Sequence, residues 1–380
     1  MTTTAPRSTG HDAASVEVPA RTMRAITQST YGTADTWKLE EISHPEIQAG
    51  QVLVKVRAAG LDRGTWHLMA GLPYAMRLGL GFRGPKTAVP GIDLAGTVVA
   101  VGADVTRFQV GDDVFGIGKG AYAEYAAVRE DKLAHKPSGL TYEQAAALGV
   151  SGSTALRAVT DVGRVEAGQR VLVLGASGGV GTYAVQIATA LGAEVTGVCS
   201  AAKADLVRSL GAAHVLDYAR DDFADGSRTY DVIIDIAGNP SVTRLRRALT
   251  ADGIAVIVGG EDGGQLTGGM DRQLRALVVS PFIRQRLGFV PPKEHYSFLE
   301  RLATLVEDGT LVPSVERTYP LSQAQEAMRQ LASGQVRGKL VITVGSRSSS
   351  PSDHARASSG RIPQFADEGE SRSSGRTEGV

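Results

Sequence analysis

Apolar and polar positions follow two rhythms along this chain. From residue 149 to 289, short apolar runs at 171–174, 194–198, 214–216, 230–235, 254–258 and 276–279 alternate with helical patterns such as 202–210. Strands joined by helical crossovers predict a doubly wound parallel sheet with a ligand crevice along its carboxyl edge. Before residue 149 the runs at 51–57, 96–102 and 122–128 are separated by glycines and by Val110-Gly111-Asp112-Asp113-Val114, which predicts a compact, mostly antiparallel β domain. After residue 289, amphipathic helices at 294–306 and 321–332 precede a last strand at 338–344. This return segment is expected to rejoin the first domain. The predicted organisation is therefore α/β, with a β domain at 21–148 plus 290–345, a nucleotide domain at 149–289, and a cleft between them.

The sharpest motif is Gly175-Ala176-Ser177-Gly178-Gly179-Val180-Gly181, set between the run at 171–174 and a helical pattern. A strand that turns on glycines into a helix presents bare backbone N–H groups and the positive end of the helix dipole to a pyrophosphate. Ala176, Ser177, Gly178, Gly179, Val180 and Gly181 are thus candidate dinucleotide-binding residues, the alternative being a purely structural turn. About 20 residues further on, an acidic side chain would select NAD(H) by bonding the ribose 2′-hydroxyl. Here the second strand ends in Cys199, followed by Ser200, Ala201, Ala202 and Lys203. A hydroxyl and an ammonium without a carboxylate suit a 2′-phosphate, so NADPH is the expected cofactor. The alternative has Ser200 capping the next helix and Lys203 solvated.

Composition narrows the function class. The 380 residues contain 42% hydrophobic positions, 40 Lys and Arg, and 40 Asp and Glu. That balance gives no electrostatic footprint for nucleic acid or a membrane, and no apolar run approaches the ~20 residues that span a bilayer. A soluble, cytoplasmic protein is expected. Cys199 is the single cysteine, so neither an intramolecular disulfide nor a multi-cysteine zinc lobe can form. Residues 1–20 and 346–380 lack apolar periodicity and read as disordered tails.

With these residues in view, the chain resembles the medium-chain dehydrogenase/reductase superfamily, in its zinc-free, ζ-crystallin-like quinone oxidoreductase branch. The resemblance runs from about residue 23 to 344. It rests on Ala59-Gly60-Leu61, Pro90-Gly91-Ile92-Asp93-Leu94-Ala95-Gly96, Gly111-Asp112-Asp113-Val114, the glycine turn with Gln186, Leu210-Gly211-Ala212, and Arg337-Gly338-Lys339. It implies a Rossmann domain paired with a GroES-like catalytic domain. In the zinc-dependent relatives three positions carry metal ligands, and here those positions are Asp62, Ile92 and approximately Val150. Isoleucine and valine cannot ligate zinc, and one carboxylate does not make a site that needs three ligands. An improvised site from Asp62, His67 and Asp93 is the alternative.

The resemblance implies a zinc-independent oxidoreductase that transfers hydride from NADPH to a quinone or an α,β-unsaturated carbonyl, mainly by holding the two face to face. On the cofactor side it adds Ser200, Lys203 and Tyr218 near the adenosine phosphate, and Asp235, Gly238 and Asn239 near the ribose. Gly259 after the fifth strand and Lys339 toward the pyrophosphate complete that side. On the substrate side it points to Asp62, where the branch usually has asparagine, with Thr65, Trp66 and Tyr74. The plainer alternatives are a surface turn for Asp62, packing for Tyr74, Tyr218 and Phe282, and solvation for Lys339. The Tyr74 phenol is a candidate proton donor, and Phe282 a candidate cover for the nicotinamide. Rival functions are an NAD(P)-dependent alcohol dehydrogenase and a catalytically weak NADPH-binding module. A homodimer is a possible assembly.

Overall fold

A computed structural model describes residues 22–260 and 264–345. The tails expected at 1–20 and 346–380 lie outside the described residues. In chain order the strands are β1 (Thr22–Thr27), β2 (Lys38–Ser43), β3 (Gln51–Leu61), β4 (Asp93–Val101), β5 (Asp113–Ile117), β6 (Tyr125–Arg129), β7 (Leu133–His135), β8 (Arg170–Leu174), β9 (Glu194–Cys199), β10 (His214–Asp217), β11 (Tyr230–Asp235), β12 (Leu249–Ile257), β13 (Arg286–Phe289), β14 (Val315–Pro320) and β15 (Lys339–Thr343).

Two large sheets follow from the two rhythms. One has the order β10-β9-β8-β11-β12-β13, and every neighbouring pair in it is parallel. Its central strands β8 and β11 are buried along almost their whole length, as expected where helices cover both faces. The strand order reverses between β8 and β11, which opens a crevice at their carboxyl ends. The other sheet has the order β14-β15-β3-β4-β5-β7, with β6 also paired to β3, and is antiparallel except for β14 on β15. It is the GroES-like part, and the return strands β14 and β15 sit on its β3 edge.

One expected strand is corrected. Residues 276–279 belong to the helix Met270–Val279, and the sixth parallel strand is Arg286–Phe289. A run of four apolar residues does not distinguish the two states. Here Ala276 packs inward while Leu277 and Val278 face solvent, so the run follows the helical repeat. Elsewhere the boundaries move by a few residues: the predicted 294–306 helix is Tyr296–Glu307, and 321–332 is a short 3-10 turn followed by the helix Ala324–Ala332.

The two sheets share a core. One apolar cluster runs from Ala58, Ala95 and Phe115 of the antiparallel sheet through Leu148 and Tyr183 to Val173 and Ile234 of the parallel one. At the junction, the Gly338 N–H donates to Ser177 O at 2.8 Å, and Gly178 and Gly338 form a parallel bridge. The next residue, Lys339, is 2% exposed. Its ammonium lies 3.2 Å from Asp93 Oδ2 and donates to Ser151 Oγ at 3.1 Å. Asp93 Oδ1 accepts from the Val150 N–H at 2.7 Å. Lys339 is therefore neither solvated nor free to reach a ligand; it is the buried partner of Asp93.

Removing one member of such a pair strands the other charge in the core. Lys339→Met is expected to lower stability by about 3–5 kcal/mol in denaturant unfolding. Adding Asp93→Asn to that variant should recover part of the loss, because the stranded carboxylate goes with it. A double variant no more stable than Lys339→Met would refute the pairing as the cause.

Candidate functional site

Strand β8 ends at Leu174, and the chain turns through Gly175–Gly178 into the helix Gly179–Ala190. The close passage of the chain across this turn dictates its small residues. A Cβ on Gly181 would lie 2.1 Å from Gly175 O, and one on Gly179 would lie 2.9 Å from the Lys339 Cδ. On Gly178, by contrast, a Cβ would meet only Gly175 O at 3.5 Å, so that position looks onto open space. The space is a cleft of about 650 Å³ lined by Gly175, Ser177, Gly178 and Gly179 at the turn and by Ala237, Gly238, Asn239 and Pro240 after β11. Small backbone-lined walls at a helix N-terminus fit a pyrophosphate, and the cleft has the volume of a small-molecule site.

The expected turn residues divide between wall and support. Ser177, Gly178 and Gly179 face the cleft, whereas Ala176 is fully buried behind them and Gly181 is buried in the helix's first turn. Val180, half-buried beside them, packs against the shared core.

At the far end of the cleft stand Cys199, Ser200, Lys203 and Tyr218. Ser200 precedes the 3-10 turn Ala201–Lys203 but makes no side-chain cap, so its hydroxyl is not drawn into the helix start. The Lys203 ammonium is not merely solvated: it donates to Gly334 O and Val336 O, at 3.1 and 3.0 Å. Tyr218 is 69% exposed and lines the cleft rather than packing on the sheet. Sequence reasoning did not select Arg63, Asp221, Phe223 or Arg244, which also line the cleft. Arg244 lies 4.8 Å over the Phe223 ring and pairs with Asp222. Asp221 Oδ2 accepts from the Asp217 N–H at 2.8 Å. No spacing rule marks these residues, because separate segments bring them in: the first turn of the helix Arg63–Ala70, the loop after β10, and the helix Val242–Ala248.

Asp235 and Gly259 have roles other than ligand contact. Arg272, 5% exposed, donates to Asp235 Oδ2, Pro240 O and Gly259 O at 2.9, 2.8 and 2.7 Å. It pins together the two loops beyond β11 and β12. Burial pushes the Asp235 carboxyl up to about 7, against the pull of Arg272.

Next to Arg63 of the cleft wall, Asp62 caps the helix Arg63–Ala70: its Oδ1 accepts from the Thr65 N–H at 2.7 Å. It is 7% exposed, so it is not a surface-turn residue. Its Oδ2 and the Thr65 Oγ1 are buried without a hydrogen-bond partner. Tyr122 lies close by, its phenol bonded to Gly60 O, and burial with the Asp62 charge pushes it well above its ordinary range. Trp66 is half-buried beneath Arg63, whose guanidinium lies 5.2 Å from its ring.

Two further candidates are exposed. Tyr74 is 45% exposed and its hydroxyl donates to Gln265 Oε1 at 3.3 Å. Phe282 is 86% exposed and neither packs in the core nor covers the cleft. Both lie in loops whose path the sequence does not encode in any periodicity.

Of the three positions that carry zinc in relatives, Asp62 and Ile92 both lie beside Gly64: a Cβ there would lie 3.0 Å from Asp62 Oδ1 and 3.8 Å from Ile92 Cδ1. Val150 offers its backbone N–H to Asp93. One carboxylate and two aliphatic side chains do not fit a zinc ion. His67 Nδ1 donates to Leu72 O, Asp93 is bound to Lys339, and among the described residues no three His, Cys, Asp or Glu stand together as a metal site.

Burial pushes the Asp93 carboxyl up to about 7, the Asp62 charge adds to this, and Lys339 opposes it. With the folded-state value raised, the folded protein holds a proton that the unfolded chain releases. Stability from this group is then complete at low pH and lost as pH rises from about 4 through about 7.

Comparison with known proteins places this geometry. A model of the alcohol dehydrogenase GroES-like domain matches residues 48–138, and one of zinc-binding dehydrogenase matches 210–342. The chain is 31% identical over 396 residues to NAD(P)H oxidoreductase RTN4IP1, mitochondrial, of Bos taurus, covering 90% of this chain and 92% of that protein. It is 32% identical over 333 residues to the quinone oxidoreductase of Mus musculus, covering 84% and 97%. The solved quinone oxidoreductase of Coxiella burnetii superposes with a TM-score of 0.75 at 29% identity, covering 85% of this chain and 100% of that one.

Two outcomes follow from the site. Gly178→Ala is expected to melt like wild type, since its Cβ enters open space, yet to weaken dinucleotide binding about tenfold or more in a fluorescence titration by blocking the approach of the pyrophosphate. In denaturant titrations, the stability of wild type relative to Asp93→Asn should fall between pH 4 and pH 8 by up to about 1.4 kcal/mol per unit. A pH-independent difference would show that Asp93 does not titrate there.

Proposed function

The chain belongs to the medium-chain dehydrogenase/reductase superfamily, in its quinone oxidoreductase branch, and from that premise we propose that it is a zinc-independent, NADPH-dependent reductase of quinones or α,β-unsaturated carbonyls. The observation that carries the reading is the pairing of an intact dinucleotide turn with a side chain set at Asp62, Ile92 and Val150 that cannot hold zinc. The 2-methylene-furan-3-one reductase of Solanum lycopersicum, 31% identical over 345 residues, is named for an enone substrate.

Ser177, Gly178 and Gly179 hold the pyrophosphate, with Ser200, Lys203 and Tyr218 at the 2′-phosphate and Ala237–Pro240 along the nicotinamide ribose. When bound, the cofactor supplies a hydride. An electron-poor quinone or enone needs little electrophilic help to accept it, so orientation in a dry cleft does most of the work. Asp62 Oδ2 and Thr65 Oγ1, buried and without hydrogen-bond partners, are available to bind a donor on the substrate or the carboxamide. The Tyr74 phenol is bonded to Gln265, so water delivers the final proton.

A second copy of the chain completes the reading. Leu274, Leu277 and Val278 stand on one face of the helix Met270–Val279 at 65%, 47% and 68% exposure, beside the open edge of β13. That face and edge suit a twofold pairing.

The test follows NADPH oxidation against a panel of quinones, enones and simple alcohols, with and without chelator. Turnover of quinones or enones that survives chelation is expected. Loss on chelation with oxidation of simple alcohols would replace the reading with an alcohol dehydrogenase, and binding without turnover on any acceptor with a binding module. Lys203→Ala should raise KM for NADPH about tenfold or more and leave NADH unchanged, because a charge-assisted bond to the 2′-phosphate is worth about 1.5–3 kcal/mol. An equal loss with both cofactors would assign Lys203 to holding Gly334 and Val336 alone.

A further inference from the structure

Two loops, one from each sheet's domain, meet and tie the lobes together. Residues 72–76 follow the helix Arg63–Ala70, and residues 264–268 precede the helix Met270–Val279. The Tyr74 N–H donates to Gln265 O at 2.8 Å, and the Ala75 N–H to Leu266 O at 3.3 Å. Pro73 seats on Gly268, where a Cβ would fall 2.8 Å from Pro73 Cγ. The pair forms a strap between the helix that Asp62 caps and the helix that carries Arg272.

The outward side of this strap is apolar and basic. Leu78, Phe82 and Leu266 are 85%, 78% and 69% exposed. Segment 71–86 holds Arg77, Arg83 and Lys86 and no acidic residue, and 264–268 holds no charge. Arg77 stacks over Tyr74 and Tyr31, while Arg83 and Lys86 are exposed. In a chain whose total charge is zero, segment 71–86 thus intersperses cations among exposed large apolar side chains. Such side chains on a soluble protein mark a contact surface. Flanked by the cations of segment 71–86, they match the interfacial zone of an anionic bilayer, where apolar groups enter the acyl boundary and cations meet headgroups; Asp271, the acid bonded to Thr267 of the other loop, is paired with Arg275 at 3.5 Å.

We propose that this strap is a lipid-docking surface that seats on an anionic membrane through Leu78, Phe82 and Leu266, with Arg83 and Lys86 against the headgroups. The seating brings the substrate side of the cleft to the bilayer, from which an apolar quinone is drawn; this last step rests on the reductase reading, and the docking does not. It revises the expectation of no membrane contact, which rested on the balanced total charge. No helix among the described residues is long and apolar enough to cross a membrane, so the contact is peripheral.

The test is cosedimentation of the full chain with phosphatidylcholine vesicles, with and without phosphatidylglycerol, at low and high salt. Two cations near an anionic surface should favour the anionic vesicles about thirtyfold at low salt, and salt should erase most of that preference. The variants Leu78→Ser/Phe82→Ser/Leu266→Ser and Arg83→Glu/Lys86→Glu should each lose about tenfold or more, with melting temperature and NADPH affinity unchanged. Equal partition of wild type onto both vesicles overturns the proposal, as does retained binding by either variant. Conversion of a wild-type dimer to a monomer by the triple serine variant also overturns it, because the patch would then belong to a second copy. Delivery is read separately: a long-chain quinone in anionic vesicles should be reduced faster than in neutral ones, a short soluble quinone equally with both. If neither quinone is reduced, the reductase reading fails while vesicle binding still decides the docking.

Discussion

The structure turns on one buried cation. The Lys339 ammonium lies under the dinucleotide turn, with its aliphatic stem against Gly179 and its charge on Asp93 and Ser151. These contacts gather a return strand, β4 of the antiparallel sheet, the junction helix Gly149–Leu156 and the cofactor turn. A charge taken out of water demands a fixed, complementary partner, so the elements that supply its contacts lose their freedom to drift. The apolar cluster shared by both sheets supplies cohesion, which is not directional. The ion pair supplies geometry, because it is satisfied in only one register of β15 against β4 and the junction helix.

Much of this was legible beforehand where the signal was periodic or local. Alternating apolar runs and helical patterns identified five of the six parallel strands, and the glycine turn announced the cleft. The sixth was misplaced, because residues 276–279 satisfy an apolar-run rule that strand and helix share, while the true strand Arg286–Phe289 is short and half polar. Contacts between distant segments left no such trace. Nothing near Lys339 in sequence reveals that Asp93, 246 positions away, will neutralise it. The grip of Arg272 on two loops and the engagement of Tyr74 by Gln265 are likewise tertiary facts, and both changed the roles of residues singled out from the sequence.

The electrostatics divide the cleft into unlike ends. Around the turn the charges are matched in pairs, Asp93 with Lys339 and Asp235 with Arg272, so the walls a dinucleotide meets are neutral backbone and small side chains. Polarity there is carried by oriented N–H groups, which are fixed when the fold is fixed and need no rearrangement to receive an anion. Some polar atoms stay buried without partners: Asp235 Oδ1 and Arg272 Nε within their own pair, and Asp62 Oδ2 and Thr65 Oγ1 at the start of the helix Arg63–Ala70. Buried polar atoms without partners are tolerated where a ligand completes them.

The clip between Ser177 and Gly338 has a consequence for the order of events in folding. The turn is encoded within a few residues near the middle of the chain, but its backbone is held by Gly338, its floor is Lys339, and the lysine beside the adenosine end is held by Gly334 and Val336. A nascent chain that has just completed its parallel sheet at Phe289 still lacks these supports until residues 334–339 have been made and folded back. Competence to bind the dinucleotide therefore reports that the return strand has docked, and the cofactor, once bound, stabilises the finished topology over every partly folded one.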